Sequence, residues 1–176
     1  MSTIASPTLY YVPYEAFLSD LEAIARQLDA DSWKPDFLVG VGRGGLVPAA
    51  YLSHRTGITM LSVDHSSGDA AFADELLEKL AAKSREGSKI LIVDDINDTG
   101  STIAYLRETL ASHGCLEQHI RVAVLVNNVR SKAHAEYAGT NMDRSVDKRW
   151  FVFPWEAVAK TDNIIVDATE VPERLA

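Results

Sequence analysis

The sequence predicts an α/β fold with a central, mainly parallel sheet flanked by helices. Two observations lead to this prediction. Short runs of branched apolar residues, typical of strands buried on both faces, alternate along the chain with segments whose apolar residues recur every three or four positions, as in amphipathic helices. The chain has 176 residues, of which 47% are hydrophobic, a size suited to one core rather than two. We therefore expect a single domain over residues 1–176.

The expected elements follow in chain order. Strands are indicated by apolar runs at Phe37–Val41, Ile58–Val63, Ile90–Val93 and Val122–Val126. Helices are indicated by the three- to four-residue period at about 14–28, 46–54, 71–82 and 103–113. The last of these ends at Gly114, because a left-handed residue suits a helix C-terminus. The polar stretch 127–149 is expected to be a long functional loop, since apolar residues resume only at Trp150.

Composition narrows the possible partners. The chain carries 17 basic and 25 acidic side chains, for a net charge of −8, which argues against a nucleic-acid-binding surface because phosphate backbones are held by clustered lysine and arginine. No basic leader and no long apolar run is present in the sequence, so we expect a cytoplasmic protein without a membrane partner. The single cysteine, Cys115, permits no internal disulfide.

The run from Ile90 to Thr102 carries the most functional information. Asp94 and Asp95 follow an apolar strand and should stand at its carboxyl end, where open parallel sheets bind ligands. They could accept hydrogen bonds from a vicinal diol or hold a divalent cation through its waters. The five residues from Asp98 to Thr102 then supply a glycine, three hydroxyls and the free N–H groups of a helix start, a combination suited to phosphate.

Two other interpretations of this run remain open. Asp98 could simply cap a helix, with Thr99 and Gly100 forming a turn and the aspartate pair lying in solvent. The letters Asp-Thr-Gly-Ser at 98–101 also occur in aspartic proteases, whose two catalytic carboxylates share a proton. That class of enzyme is all-β, whereas strands and helices alternate here.

A second glycine-rich segment follows the first predicted strand. Gly42, Arg43, Gly44 and Gly45 lie between a strand and a helix, so their amides can face an anion, and Arg43 adds a charge. Such turns also serve packing alone. Together with the segment at 98–102, however, this segment places two anion sites at neighbouring strand ends, which suits one ligand with two phosphate groups.

The run at 94–102 resembles the 5-phosphoribosyl-1-diphosphate (PRPP) motif of the type I phosphoribosyltransferases. The resemblance implies that Asp94 and Asp95 meet the ribose 2- and 3-hydroxyls and hold Mg²⁺. It also implies that Thr99, Gly100, Ser101 and Thr102 wrap the 5-phosphate and that Asp98 lies near the purine N7. In purine members of this family a loop similar to 42–45 grips pyrophosphate, often with a cis peptide before the arginine, here Arg43.

The tail from Lys148 to Glu156 resembles the hood of xanthine-guanine and hypoxanthine phosphoribosyltransferases. There, an aromatic residue stacks on the purine. The matching residue is Trp150, and the backbone of Phe151 would meet the base edge, although the aromatics could instead fill a small core. Asn127 and Asn128 stand where the family commonly has a lysine directed at the purine O6. We assign both to the base site and expect the hood to comprise approximately 1–12 and 127–176.

The resemblance implies a purine phosphoribosyltransferase that converts PRPP and a 6-oxopurine to a nucleoside 5-monophosphate and pyrophosphate. Asp98 and Arg43 would be catalytic, Mg²⁺ the cofactor, and the protein a homodimer or homotetramer. A mobile loop around 65–71, beginning at His65, would close over the reaction centre. Two alternatives remain, a PRPP-binding regulator and a phosphoribosyltransferase for a pyrimidine or unusual base.

Overall fold

A computed structural model describes residues 7–63 and 70–169, without the side chains of residues 70–73. The strands are β1 (Leu9–Tyr11), β2 (Phe37–Val41), β3 (Thr59–Val63), β4 (Ile90–Asn97), β5 (Ile120–Asn128), β6 (Tyr137–Met142) and β7 (Trp150–Val152). The helices are α1 (Tyr14–Ala30), α2 (Gly42–Thr56), α3 (Ala70–Arg85), α4 (Ser101–Ser112) and α5 (Thr161–Thr169), with one 3₁₀ turn at Glu117–His119.

Five of the strands form a parallel sheet in the order β3-β2-β4-β5-β6. The chain runs outward from β2 to β3 and then returns to place β4 on the other side of β2. This reversal is a topological switch point, and ligands in open α/β sheets bind in the crevice outside the strand ends at such a point. A second, two-stranded parallel sheet joins β1 to β7. The α/β prediction is therefore confirmed.

Both faces of the large sheet are covered, which explains the continuous apolar runs of its strands. Leu91 and Val93 on one face of β4 share a core with Phe17 of α1 and Leu52 of α2. Residues on the opposite face, such as Ile92, share a second core with α3 and α4. The sheet is thus held rigidly from two sides, and its carboxyl edge is left for a ligand.

The structure corrects two sequence-based expectations and adds two elements. Helix α2 begins at Gly42 rather than near Leu46, so the glycine-rich segment is the first turn of the helix. The stretch 127–149 is not one loop, because residues 137–142 form edge strand β6. Its Gly139 allows a close approach of α1, since a Cβ there would lie 2.4 Å from Cβ of Asp20. Strand β1 and helix α5 were not predicted as elements.

Across residues 7–63 and 70–169, every helix is too short or too polar to serve as a transmembrane segment.

Candidate active site

A cavity of about 640 Å³ opens at the switch point between β2 and β4. Its walls are formed by the first turn of α2, the end of β4 with the loop into α4, and the hood. The lining residues include Gly42–Gly44, Asp94–Ile103, Trp150, Trp155, Glu156, Val158, Ala159, Ile164 and Asp167. Two segments far apart in sequence, each predicted to bind an anion, therefore face one space.

The carboxylates of Asp94 and Asp95 form the floor of this cavity. Asp94 is buried, and its Oδ1 accepts a 3.0 Å hydrogen bond from the backbone N–H of Asp95. Burial, followed by the charge of Asp95, raises the pKa of Asp94 well above its usual value. Burial, followed by the charge of Glu156, raises the pKa of Asp95 to about 7. In the part of the chain that the structure describes, no lysine or arginine forms an ion pair with either carboxylate.

A pair of buried carboxyl groups without a cationic partner, each with a raised pKa, fits a hard divalent cation that would favour their charged forms. Mg²⁺ prefers oxygen ligands and keeps several waters, so it is commonly held by one or two carboxylates together with substrate phosphates. Asp94 and Asp95 provide two such groups. No cluster of three or more acidic, histidine or cysteine side chains suited to a metal occurs among the described residues. The donor set therefore suits a cation that arrives with its substrate rather than one enclosed by protein.

The loop from Thr99 to Thr102 forms the start of α4. Gly100 takes a left-handed conformation with φ +88° immediately before the helix. Its neighbours fold back on themselves: the Thr99 hydroxyl accepts a 3.3 Å hydrogen bond from the N–H of Ser101, and the two hydroxyls are 3.0 Å apart. The twelve-residue helix α4 thus begins beside two hydroxyls, and a helix N-terminus next to hydroxyl groups is an arrangement that favours phosphate.

Close packing on the segment 131–133 holds this loop in place. A Cβ on Gly100 would lie 2.6 Å from the backbone nitrogen of Ala133 and 2.7 Å from Oγ of Ser131. The N–H of Lys132 donates to the carbonyl of Thr99 at 3.3 Å. Glycine is therefore required at position 100 both for its conformation and for space.

Three asparagines continue this support across the sheet edge. Asn97, Asn127 and Asn141 lie in register on β4, β5 and β6. Nδ2 of Asn97 donates to Oδ1 of Asn127 at 2.9 Å, and Nδ2 of Asn127 donates to Oδ1 of Asn141 at 2.9 Å. The Ser131 hydroxyl donates to Oδ1 of Asn97 at 2.7 Å. The row of amides thus ties the strand ends to the segment that supports the loop at 99–102.

The first turn of α2 lies against the carboxylate pair. Gly42 has φ +52°, and all peptide bonds of the described residues are trans, so the cis bond implied before Arg43 is not observed. A Cβ on Gly44 would lie 2.5 Å from Oδ2 of Asp95, and a Cβ on Gly45 would lie 2.1 Å from the carbonyl oxygen of Val93. The absence of side chains here brings the helix N-terminus to the aspartates.

Asp98 lines the cavity but is not simply a helix cap. Its carboxylate forms an ion pair with Arg144, with both side chains less than a tenth exposed. The guanidinium Nε lies 3.0 Å from each carboxylate oxygen, and Nη2 lies 2.9 Å from Oδ2. Nδ2 of Asn128 also donates to the backbone carbonyl of Asp98 at 2.9 Å. Asn128 and Arg144, both from the stretch 127–149, therefore hold the main chain and the side chain of Asp98 in place.

The hood places two tryptophans at the cavity. Strand β7 pairs with β1, and the N–H of Trp150 donates to the carbonyl of Thr8 at 2.8 Å. Trp150 lines the cavity, whereas Phe151 packs edge-on against Tyr10 with ring centroids 5.4 Å apart. Trp155 also lines the cavity and stacks on Phe153 at 5.0 Å. The aromatic run thus fills a small core and also provides a flat wall.

The structure brings together most of the predicted site residues. Asp94, Asp95, Asp98, Thr99, Gly100, Ser101, Thr102, Gly42, Arg43, Gly44 and Trp150 all line the cavity. Four predicted residues do not line it, namely Gly45, Asn127, Asn128 and Phe151. The amides of Asn127 and Asn128 bond to other groups of the protein, and their role at the base stays a prediction. The predicted role of His65 and its loop concerns residues outside those described.

Several lining residues were missed. Trp155 and Glu156 belong to the tail from Lys148 to Glu156, but nothing in their spacing distinguishes them from core residues. Arg144 was one of several basic residues in a polar stretch without a periodic pattern. Only the geometry shows its contact with Asp98.

Comparisons with known proteins agree with this architecture. Residues 11–160 match the model of the phosphoribosyl transferase domain. A xanthine-guanine phosphoribosyltransferase from Idiomarina loihiensis is 30% identical over 142 residues, which cover 77% of this chain and 78% of the relative.

Solved structures show the same fold. A purine phosphoribosyltransferase from Pyrococcus horikoshii superposes with a TM-score of 0.61 at 25% identity, over 86% of this chain and 95% of the other. A xanthine-guanine-hypoxanthine phosphoribosyltransferase from Helicobacter pylori does so with a TM-score of 0.63 at 20% identity, over 90% and 98%. With the family model matching most of its length, the chain belongs to the type I phosphoribosyltransferases, close to the purine members.

Proposed function

We propose that this protein transfers the 5-phosphoribosyl group from PRPP to a 6-oxopurine base, which is hypoxanthine, guanine or xanthine. The products are a nucleoside 5-monophosphate and pyrophosphate. The observation that carries the proposal is the cavity itself, where an uncompensated aspartate pair lies between two helix N-termini and faces an aromatic wall. A ligand with a diol, two anionic ends and a flat base matches these features.

The N-termini of α4 and α2 each bind one anionic group of PRPP. The amides and hydroxyls of 99–102 bind the 5-phosphate, and the first turn of α2, with the exposed side chain of Arg43, binds the diphosphate. Asp94 and Asp95 accept hydrogen bonds from the ribose hydroxyls that lie between these ends. Arg43 is positioned to stabilise charge on the leaving diphosphate.

Asp94 and Asp95 would also hold Mg²⁺ through oxygen ligands. When bound, the ion would supply positive charge to the leaving diphosphate. The two carboxylates orient the ribose, and the loop at 99–102 keeps the sugar in place while the bond at the anomeric carbon breaks. The chain's own contribution is thus orientation and charge rather than a covalent intermediate.

On the other side of the ribose, Trp150 and Asp98 receive the base. The indole ring of Trp150 stacks on the flat purine. The carboxylate of Asp98 accepts the proton carried at N7 as the new bond forms at N9. The names of the relatives from Idiomarina loihiensis and Pyrococcus horikoshii, both purine enzymes, support a purine as the acceptor.

Assembly and location stay predictions. We expect a homodimer or homotetramer, which sedimentation of the purified protein measures directly, and a cytoplasmic location.

One assay tests the proposal. The protein is incubated with Mg²⁺ and PRPP against guanine, hypoxanthine, xanthine, adenine, uracil and orotate, and nucleotide formation is followed by chromatography. We expect hypoxanthine or guanine to be used best, anionic xanthine less well and adenine poorly, because Arg144, the cation in contact with Asp98, is already paired with that carboxylate. Faster turnover of orotate or uracil than of every purine would overturn the proposal.

A further inference from the structure

A buried ion pair joins the sheet edge to the hood. The side chains of Arg144 and Asp98 are 9% and 8% exposed, whereas every other ion pair between described residues has both partners at least 22% exposed. Burying two charges costs stability unless their geometry is excellent, and a buried pair is weak evidence of a stabilising role. This pair also borders the cavity through Asp98, so a functional reason for it can be sought.

The guanidinium of Arg144 contacts both Asp98 and the main chain of the segment that leads into β7. Its Nε and Nη2 donate to the Asp98 carboxylate. Its Nη1 donates to the backbone carbonyl of Asp147 at 3.1 Å and to that of Arg149 at 2.6 Å. Its Cζ lies 5.3 Å from the centre of the Phe151 ring. Because Trp150 stands between Arg149 and Phe151, one side chain connects the two groups that face the base.

A second connection runs through the backbone. The N–H of Arg144 donates to Oδ1 of Asn128 at 3.1 Å, and Nδ2 of Asn128 donates to the carbonyl of Asp98 at 2.9 Å. Asp98 is therefore tied to Arg144 by its main chain as well as its side chain. A planar guanidinium that meets both carboxylate oxygens also fixes the plane of that carboxylate, which a lysine cannot do.

We propose that Arg144 is a positioning residue for base transfer. It holds the carboxylate of Asp98 in one orientation and sets its distance from Trp150, so that a flat base fits between them with N7 toward the carboxylate. This inference rests on the proposed function. It also gives a role to Asn128, which stands at the end of β5 where the family commonly has a lysine. The amide of Asn128 bonds to the main chain of both Asp98 and Arg144.

The test compares Arg144→Met and Arg144→Lys with the wild type in steady-state turnover of PRPP and hypoxanthine or guanine. We expect kcat to fall by about 10²-fold in Arg144→Met, the effect of a misplacement near 1 Å. Arg144→Lys keeps the charge and should lose at least about tenfold in kcat, because a point charge fixes the orientation less well. KM for the base should rise in both variants, while the Kd of PRPP stays within twofold.

Two further variants make the comparison specific. Arg130→Met removes an arginine that pairs with Asp143 in the same region but is mostly exposed, and it should leave kcat and both substrate affinities unchanged. If Arg144 acts through Asp98, adding Arg144→Met to Asp98→Asn should reduce kcat little beyond the effect of Asp98→Asn alone. Arg144→Lys leaves no unpaired buried charge, so it keeps the test valid if Arg144→Met does not fold.

The possible failures are distinguishable. If the wild type turns over no purine, the proposed function is wrong, and the crystal structure of Arg144→Lys then decides the inference by the orientation of the Asp98 carboxylate. A carboxylate unmoved in that structure overturns the inference. If the wild type is active, an Arg144→Lys enzyme with unchanged kcat and base KM overturns it while the proposed function stands. A loss of thermal stability alone, with full turnover, would show a purely structural ion pair.

Discussion

Replacing Gly44 and Gly45 one at a time by alanine should separate ligand binding from folding at the start of α2. A Cβ on Gly44 would lie 2.5 Å from Oδ2 and 2.9 Å from Oδ1 of Asp95, at the end of a side chain that can rotate. A Cβ on Gly45 would lie 2.1 Å from the carbonyl oxygen of Val93 and 3.1 Å from Cα of Asp94. There the backbone of α2 or β4 must move, which a packed core resists.

These contacts give different expected magnitudes. For Gly44→Ala, the gain in helix propensity of about 0.5–1 kcal/mol roughly offsets the cost of a displaced rotamer, about 0.5–1.5 kcal/mol. Its free energy of unfolding should therefore change little. Turning the Asp95 carboxylate away loses a charged hydrogen bond to the ligand, about 1.5–3 kcal/mol, and PRPP should bind about 10- to 150-fold more weakly. Gly45→Ala should lose about 1–3 kcal/mol or more of stability through overpacking.

Urea unfolding and calorimetric titration with PRPP and Mg²⁺ measure the two effects separately. Gly57→Ala is the matched control. Gly57 lies at the other end of α2 with φ +74° and open space around its Cβ position, so alanine there should cost about 1–2 kcal/mol of stability without touching the cavity. Wild-type PRPP affinity in Gly44→Ala would show that the ligand does not need the Asp95 carboxylate in this position. An unchanged unfolding midpoint in Gly45→Ala would show that α2 and β4 can accommodate the added methyl group.

Three further outcomes are expected. Trp150→Ala should raise KM for the purine about tenfold or more in steady-state assays, because aromatic–base stacking contributes about 1–3 kcal/mol, while the Kd of PRPP barely changes; an unaltered KM would place the base elsewhere. Asp98→Asn should lower kcat by about 10²–10⁴ with normal PRPP binding, the range for a lost acid–base group; full turnover would leave Asp98 a structural residue only. Because burial and the charge of Glu156 raise the pKa of Asp95 to about 7, the folded protein retains this proton between about pH 4 and pH 7, where the unfolded chain has lost it. The free energy of unfolding of the ligand-free protein should therefore fall as pH rises through that interval, and a smaller slope in Asp95→Asn, measured by urea unfolding at each pH, checks this; an identical slope would contradict it.

The sheet and the turn into α4 could be predicted from sequence because their signals are local. A strand buried on both faces has a continuous apolar run, as at Ile90–Val93, and the turn into α4 requires the glycine and hydroxyls found at 99–102. Strand β6 could not be predicted in the same way. It lies at the sheet edge, and its sequence Tyr-Ala-Gly-Thr-Asn-Met has no continuous apolar run. The need for glycine at position 139 becomes clear only from its contact with α1.

Side-chain partners beyond one segment were also inaccessible from sequence. Asn127 and Asn128 end β5 and look like ligand-binding groups in the sequence, but neighbouring strands place Asn97 and Asn141 beside Asn127 in register. The pair of Asp98 and Arg144 joins residues 46 positions apart. Such contacts depend on how β6 and the hood pack against the rest of the sheet. The spacing of residues along the chain does not predict this packing.

PRPP binding at the switch point of the sheet should depend on Asp94 and Asp95. Calorimetric titration of PRPP in the presence of Mg²⁺ into the wild type and into the Asp94→Ala, Asp95→Ala double variant measures this dependence. Glu108→Ala, which removes an exposed carboxylate from α4, serves as the control and should bind as the wild type does. Each lost acceptor should cost about 1–3 kcal/mol, so the double variant should bind PRPP at least about thirtyfold more weakly. Unchanged PRPP affinity in the folded double variant would contradict the claim.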